Sequence, residues 1–256
     1  MQKAFGYTSL GLRRGVKRML FMFGEKIMRI KNPFKKLSKF ELGLWITSLV
    51  LIAISFLITK EKDYLSLCSS LIGATALIFV AKGYALGQIL TVVFSVFYGI
   101  ISFYFRYYGE MITYLGMTAP MAMMAVISWL KNPYDDSGEV KVNIVSKKSR
   151  WILFVSAPIV TLIFYFILKA LNNASLFIST ISVITSYIAS YLTFLRSPYY
   201  ALAYAANDVV LIALWVIAAV KEPSCAPMIL CFVTFLFNDI YGFYNWRKMK
   251  RRQGKG

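Results

Sequence analysis

Amide, carboxylate and aromatic side chains recur together at two places in the second half of the chain. Asn207-Asp208 follows Tyr200 and Tyr204, and Asn238-Asp239 precedes Tyr241 and Trp246. Neutral amides that converge with aromatic rings suit a ligand with hydrogen-bonding edges and a flat π face, such as a nucleoside or a vitamin ring. The candidate binding residues carry an amide or an aromatic ring within an apolar stretch: Gln88, Tyr98, Tyr200, Tyr204, Asn207, Asn238, Tyr241 and Trp246.

The two aspartates allow a second kind of chemistry. Asp208 and Asp239 stand in apolar stretches, where an ionisable side chain is costly and usually functional. They could carry a proton or a sodium ion, or they could be fixed partners of neighbouring polar groups. Because these stretches contain no lysine or arginine to pair with them, we retain Asp208 and Asp239 as candidate ion-coupling residues.

Several classes of chemistry are excluded by the composition. The chain has no histidine, which removes the commonest zinc ligand and every Ser-His or Cys-His nucleophile pair. The spacing of Cys68, Cys225 and Cys231 matches no metal or redox motif, so we expect these cysteines to be buried apolar residues. We therefore expect no bound metal, no cofactor and no enzymatic activity.

The overall composition is that of a polytopic membrane protein. Of 256 residues, 59% are hydrophobic and the mean hydropathy is +0.62. A run of about 20 apolar residues can cross a hydrocarbon layer of about 30 Å as a helix. Eight such runs predict an all-α integral membrane protein with spans at about residues 41–59, 64–81, 84–105, 110–130, 151–170, 174–194, 199–220 and 223–246.

Basic residues predict the orientation of these spans. With the N-terminus in the cytoplasm, 24 of the 29 lysines and arginines fall on the inner side and five on the outer side. This asymmetry places both termini in the cytoplasm. The spans and the basic ends together divide the chain into a basic amphipathic segment at 1–40, a transporter domain at 41–246 and a basic tail at 247–256. The first segment either binds anionic lipid or acts only as a topology signal, and we expect no nucleic-acid partner.

Short motifs are repeated between the two halves of the membrane region. Tyr84-Ala85-Leu86-Gly87 opens span three and Tyr200-Ala201-Leu202-Ala203 opens span seven, while Trp129-Leu130-Lys131 and Trp246-Arg247-Lys248 close spans four and eight. Each half has an even number of spans, so the sequence predicts parallel repeats with a ligand site between them.

Two other groups of polar and aromatic residues have simpler interpretations. Serines recur at helical spacing in span six, where we expect them to pack and tie helices together. Trp45, Trp129 and Trp151 stand near span ends, where tryptophan commonly anchors a helix at the membrane interface.

Three segments resemble the PnuC family of vitamin-precursor transporters. They are Tyr199 to Asp208, Phe237 to Trp246, and Tyr98-Gly99 together with Gly109-Glu110-Met111. The resemblance covers roughly residues 40–250. It implies a 3+1+3 bundle with two three-helix repeats, similar to the SWEET sugar transporters, in the bacterial inner membrane. It also implies facilitated diffusion of nicotinamide riboside or a related nucleoside, which a separate cytoplasmic kinase then traps, because this chain has no phosphate-binding Gly-x4-Gly-Lys-Ser/Thr loop.

One position departs from the family pattern. Nicotinamide riboside carriers of the family have a Trp-x-x-Trp pair before an asparagine, and here the matching residues are Tyr200, Ala203 and Asn207. Tryptophan is the best partner for a cationic ring, so its loss leaves room for a neutral nucleoside or deoxynucleoside. Less favoured alternatives are an ion-coupled carrier, a membrane-embedded enzyme and a non-transporting subunit. A homo-oligomer is compatible with the sequence.

Overall fold

The structure is a computed structural model that describes residues 33–58, 63–134 and 138–254. Within these ranges it has eight helices that are long and apolar enough to cross a membrane. They are α1 (Lys39–Ile58), α2 (Tyr64–Ala81), α3 (Ala85–Tyr104), α4 (Tyr108–Lys131), α5 (Lys147–Ala170), α6 (Leu176–Phe194), α7 (Tyr200–Lys221) and α8 (Ala226–Gln253). The all-α prediction is confirmed. Most of the basic segment predicted at 1–40 lies outside the described residues.

Two helices are longer than their predicted spans. α5 begins at Lys147 because the Ser146 hydroxyl caps it, accepting a hydrogen bond from the Ser149 amide at 3.1 Å. α8 continues past Trp246 to Gln253, and its last turn contains Lys250, Arg251 and Arg252. Cations are favourable at a helix C-terminus, where the unpaired carbonyl groups carry partial negative charge.

α4 contains the one segment of π-helix among the described residues. Its ends, Tyr108–Thr113 and Ala119–Lys131, are α-helical, whereas Tyr114–Thr118 forms a π turn. The Ala119 amide donates to the Tyr114 carbonyl across five residues. A π turn widens the helix locally and is frequent at functional sites.

Four tight turns between helices share one backbone geometry. Each contains a residue with positive φ: Gly83 (73°), Arg106 (58°), Asn172 (50°) and Arg196 (59°). In each case the next amide donates to the carbonyl five residues earlier, as Tyr84 does to Phe79 at 2.9 Å. This pairing is a Schellman motif, which ends a helix while satisfying its last carbonyl groups. The chain therefore reverses within a few residues, and the connected helices pack antiparallel.

The helices pack in two consecutive groups of three. α2, α3 and α4 pack in order, as do α6, α7 and α8, and the groups meet through α2 on α8 and through α4 on α6. α1 lies against α2 and α8. α5 lies against α6 at the periphery, where Ala157 and Leu168 are its only buried residues.

The loop between α4 and α5 crosses one end of the bundle. The Val140 amide donates to the Gly83 carbonyl at 2.9 Å, and the Asn143 amide donates to the Arg196 carbonyl at 3.0 Å. The Val142 amide donates to Oε1 of Gln253 at 2.7 Å. The loop therefore ties together the α2–α3 turn, the α6–α7 turn and the end of α8.

We expect Gly83→Ala to destabilise the protein by about 1–2 kcal/mol, the usual cost of placing an L side chain in the left-handed region. Gly83 has a φ of 73°, and a Cβ atom there would lie 2.7 Å from Cε of Met249. Gly43→Ala is the matched control, because no atom lies within 4 Å of its added Cβ. Thermal melting in detergent micelles measures the difference, and equal melting temperatures for the two variants would contradict the role assigned to the turn.

Candidate functional site

A cavity lies between five helices in the middle of the bundle. α2, α3, the π turn of α4, α7 and α8 all contribute to its wall. The lining residues are Gly73, Ala76, Leu77, Val80, Gln88, Thr91, Phe94, Tyr114, Thr118, Tyr204, Asn207, Asp208, Phe232, Phe235 and Asp239. Counted as the space that the centre of a water molecule can occupy, its volume is about 50 Å³. This is room for a few waters, so side chains must move before a larger ligand fits.

Two amides in the cavity wall have hydrogen-bonding capacity to spare. In the part of the chain that the structure describes, the side chain of Gln88 makes no hydrogen bond although it is 3% exposed. One end of the Asn207 amide contacts the hydroxyls of Thr185 at 2.8 Å and Ser186 at 3.0 Å. Because α6 holds that end, the other end of the Asn207 amide is left to face the cavity.

The serines of α6 lie behind this site and connect α6 to its neighbours. Ser182 donates to Oε2 of Glu110 at 3.2 Å, and the Ser190 hydroxyl pairs with that of Tyr204 at 3.1 Å. Together with Ser186, these contacts link α6 to α4 and α7. The prediction that the serines tie helices together is confirmed, and they also orient two residues of the cavity wall.

The two candidate ion-coupling residues meet in the cavity. Asp208 and Asp239 are both buried, with exposed fractions of 4% and 3%, and both line the cavity. No lysine or arginine is among the residues that line the cavity. The wall therefore combines two carboxyl groups with two amides.

Aromatic rings form another part of the cavity wall, which the sequence analysis did not identify. Phe94 contacts Phe235 with ring centroids 5.4 Å apart and Tyr114 with centroids 6.0 Å apart. Gly73 makes room for these rings, because a Cβ atom there would overlap Phe235 and lie 2.9 Å from Phe94. The π turn brings Tyr114 and Thr118 to the cavity. Gly116 and Pro120 are close together in span four, and this pair could have indicated an irregular helix there.

Five of the predicted positions line the cavity: Gln88, Tyr204, Asn207, Asp208 and Asp239. Three others belong to aromatic layers on either side of it. The loop-side layer (Trp129, Tyr200 and Trp246) has ring centroids 4.9 Å apart for Tyr200–Trp246 and 5.3 Å for Trp129–Trp246.

The far-side layer consists of Tyr98, Tyr107 and Trp215. Nε1 of Trp215 donates to the Tyr98 hydroxyl at 2.9 Å, and the Tyr107 and Trp215 rings are 5.6 Å apart. The cavity thus lies between two layers of packed aromatic side chains.

The remaining two predicted residues connect α8 to α1. Nδ2 of Asn238 donates to the Ser48 hydroxyl at 3.0 Å, and the Tyr241 hydroxyl donates to Oε1 of Glu41 at 2.6 Å. Lys82 pairs with Oε2 of the same glutamate at 3.1 Å. Direct contact of Asn238 or Tyr241 with a ligand stays a prediction.

Two sequence-based expectations, the burial of Cys68 and the interface position of Trp129, were wrong. Cys68 is exposed, whereas Cys225 and Cys231 are buried as expected. Trp129 is 2% exposed and its Nε1 donates to the Thr193 carbonyl at 3.0 Å. It is therefore part of the interior rather than an interface anchor, in contrast to Trp151, which is 67% exposed.

Comparison with known proteins gives the family. The family model of the nicotinamide mononucleotide transporters matches residues 63–248. The nicotinamide riboside transporter PnuC of Neisseria mucosa is 25% identical over 260 aligned positions, covering 97% of this chain and 98% of that protein. The transporter of the same name from Haemophilus influenzae is 25% identical over 211 positions, covering 82% of this chain and 90% of that protein.

A solved structure shares the fold. The crystal structure of the vitamin B3 transporter PnuC superposes with a TM-score of 0.76 at 22% identity, and the match covers 90% of this chain and 98% of that one. The family model matches well over half of the sequence. The chain therefore belongs to the nicotinamide mononucleotide transporter family, that of the PnuC proteins, and it is a multi-pass membrane transporter rather than an enzyme.

Proposed function

We propose that the protein is a uniporter that takes up nicotinamide riboside or a related nucleoside-like molecule by facilitated diffusion. The observation that carries this proposal is the cavity, which is lined by the unpaired amide of Gln88, the free end of the Asn207 amide and several aromatic rings. The names of the two relatives, both nicotinamide riboside transporters, support it. A neutral nucleoside is the second candidate, because Tyr200 and Ala203 stand where the resembled carriers have tryptophans.

The two walls would read different parts of such a ligand. Gln88 can donate to and accept from a carboxamide or the ribose hydroxyls, and the free NH2 group of Asn207 can donate to them. Phe94, Tyr114 and Phe235 can stack on a flat ring once they move apart. Because a polar ligand leaves water to enter this site, the amides must replace its lost hydrogen bonds.

We propose alternating access by movement of two parallel three-helix repeats, α2–α4 and α6–α8. The reciprocal contacts support this arrangement: the first helix of one group meets the third helix of the other, as an approximate two-fold axis would require. The cavity would open to one side when the loop-side layer separates and to the other when the far-side layer does. Tyr98, Tyr200 and Trp246 would then contact the ligand during its passage.

The distribution of basic residues supports an inner-membrane orientation with both termini in the cytoplasm. The α4–α5 loop and the end of α8 would face the cytoplasm in this orientation. There the basic N-terminal segment would meet anionic lipid, and a separate kinase would phosphorylate and retain the substrate. In a homo-oligomer, the apolar outer face of α5 would contact a second copy of the chain. In a monomer, the same face would contact lipid.

Gln88→Ala and Asn207→Ala should each weaken binding of nicotinamide riboside by about 1–3 kcal/mol, the cost of leaving a buried polar partner unpaired. Isothermal titration with purified protein measures this loss. Asn245→Ala is the control, because its amide is already paired with the Ala81 carbonyl at 2.8 Å and it does not line the cavity. A similar loss of affinity in all three variants would contradict the assignment of the two cavity amides.

Reporter fusions test the orientation. A cytoplasm-active reporter joined after Gly256 should be active, since 24 of the 29 basic residues would then lie inside. A reporter joined after Lys221 should show external activity, because seven helices precede it. An external C-terminus would exclude the proposed eight-span orientation.

Transport should need no ion gradient, because facilitated diffusion moves the substrate only down its own concentration difference. Liposomes with the membrane potential clamped at zero should equilibrate labelled substrate to the same level with and without a proton or sodium gradient. Accumulation above the external concentration that disappears in Asp208→Asn would instead establish ion coupling.

A further inference from the structure

The carboxyl pair of Asp208 and Asp239 has no counter-charge in the cavity wall. Both side chains are more than nine-tenths buried, and Oδ2 of Asp208 receives no hydrogen bond from a hydroxyl, amide or basic group among the described residues. The surrounding lining is neutral: apolar residues of α2, Gln88, Thr91 and Phe94 of α3, and the aromatic rings of α4 and α8.

The pair should carry at most one negative charge. Two carboxylates that share a small low-dielectric cavity cannot both be ionised without a cation between them, so at least one of them keeps a proton, and a cationic ligand favours ionisation of the other. The titratable groups that face the pair are the phenols of Tyr114, Tyr200 and Tyr204 and the thiol of Cys231. Phenols and thiols are ordinarily neutral near pH 7, so none of them adds or offsets charge.

A second observation indicates that the cavity beside the carboxyl pair binds a ligand. Gln88 lines the same cavity, is 97% buried and leaves its amide without a hydrogen-bond partner among the described residues. An unpaired buried amide and a carboxyl pair that a cation can ionise call for a ligand that has both a hydrogen-bonding edge and a positive charge.

We propose that Asp208 and Asp239 form a charge-recognition subsite that selects a cationic, N-ribosylated pyridinium over neutral nucleosides. The inference rests on the proposed uptake function and narrows its substrate class. Because this chain lacks both indoles of the family pattern, its attraction for a cationic ring comes from carboxyl charge instead of indole faces. The missing tryptophans alone favour a neutral nucleoside, whereas the carboxyl pair favours the cation.

A matched pair of ligands tests the subsite. Nicotinamide riboside has a cationic ring, and benzamide riboside keeps the planar ring, the carboxamide and the ribose but is neutral. Full-length protein in detergent should bind the cation at least about tenfold more tightly, as expected for opposite charges a few ångströms apart in a partly desolvated site. The double variant Asp208→Asn/Asp239→Asn should bring the two affinities to within about threefold, chiefly by weakening nicotinamide riboside.

Glu110→Gln is the matched control for loss of a buried carboxyl. Glu110 is fully buried and bonded to Ser182 but does not line the cavity, so this variant should keep the preference for the cation. Equal affinities of the wild type for both ligands, or an equal loss for both in the double variant, would overturn the subsite while leaving nucleoside transport intact.

Two further outcomes are decisive. Binding of neither ligand to folded wild-type protein would overturn the proposed function as well. Replacing sodium by potassium should leave the ratio of affinities unchanged, whereas tighter binding of both ligands in sodium would mean that the pair holds an inorganic cation, which would also overturn the proposal.

Discussion

The hydrocarbon interior of a membrane offers no hydrogen bonds, so each buried polar group of this bundle needs a partner within the protein. Trp129 and Trp246 meet this requirement by donating to backbone carbonyls of neighbouring helices. The serines of α6 meet it through Glu110, Asn207 and Tyr204. Some buried hydroxyls among the described residues, such as those of Ser69, Ser102 and Thr113, have no partner. The Gln88 amide, the outer end of Asn207 and the carboxyl pair differ from them because they line one cavity together. Their unused bonding capacity therefore marks the candidate site.

The sequence predicted the helices and their faces but not the depth of each residue. Hydropathy located all eight spans, since crossing a membrane requires long apolar runs. On a helix, Tyr200 shares a face with Asn207, and Trp246 shares a face with Asp239. The members of each pair are seven residues apart, which is two turns and about 10 Å along the axis. Periodicity cannot distinguish such levels, so residues of the adjoining aromatic layer were included with those of the cavity.

The aromatic wall could not be predicted for a different reason. Phe94 and Phe235 belong to a chain with 20 phenylalanines, and nothing in their local sequence separates a cavity-lining ring from a lipid-facing or packed one. Their position depends on the absence of a side chain at Gly73, which is on another helix. Tyr114 reaches the cavity because of the π turn, a departure from regular spacing. The positions of the phenylalanines and of Tyr114 thus depend on tertiary structure. Asn207 and Asp239 were recognisable from the sequence because amides and carboxylates are rare in apolar spans.

The charge of the site also bears on the proposed facilitated diffusion, in which a carrier operates without an energy source. Such a protein must change conformation both loaded and empty, so a large cost of buried charge in either form would arrest the cycle. Two ionised carboxylates would make the empty cavity very unfavourable, and a proton kept by at least one of them limits the charge to minus one at most. A cationic ligand would then make the loaded site neutral overall, while the unused amides would replace the hydrogen bonds that the ligand loses on leaving water. Moderate charge with incomplete hydrogen bonding therefore suits facilitated diffusion. A site whose polar groups were all paired would bind no ligand, and a doubly charged site would bind a cationic ligand too tightly to release it.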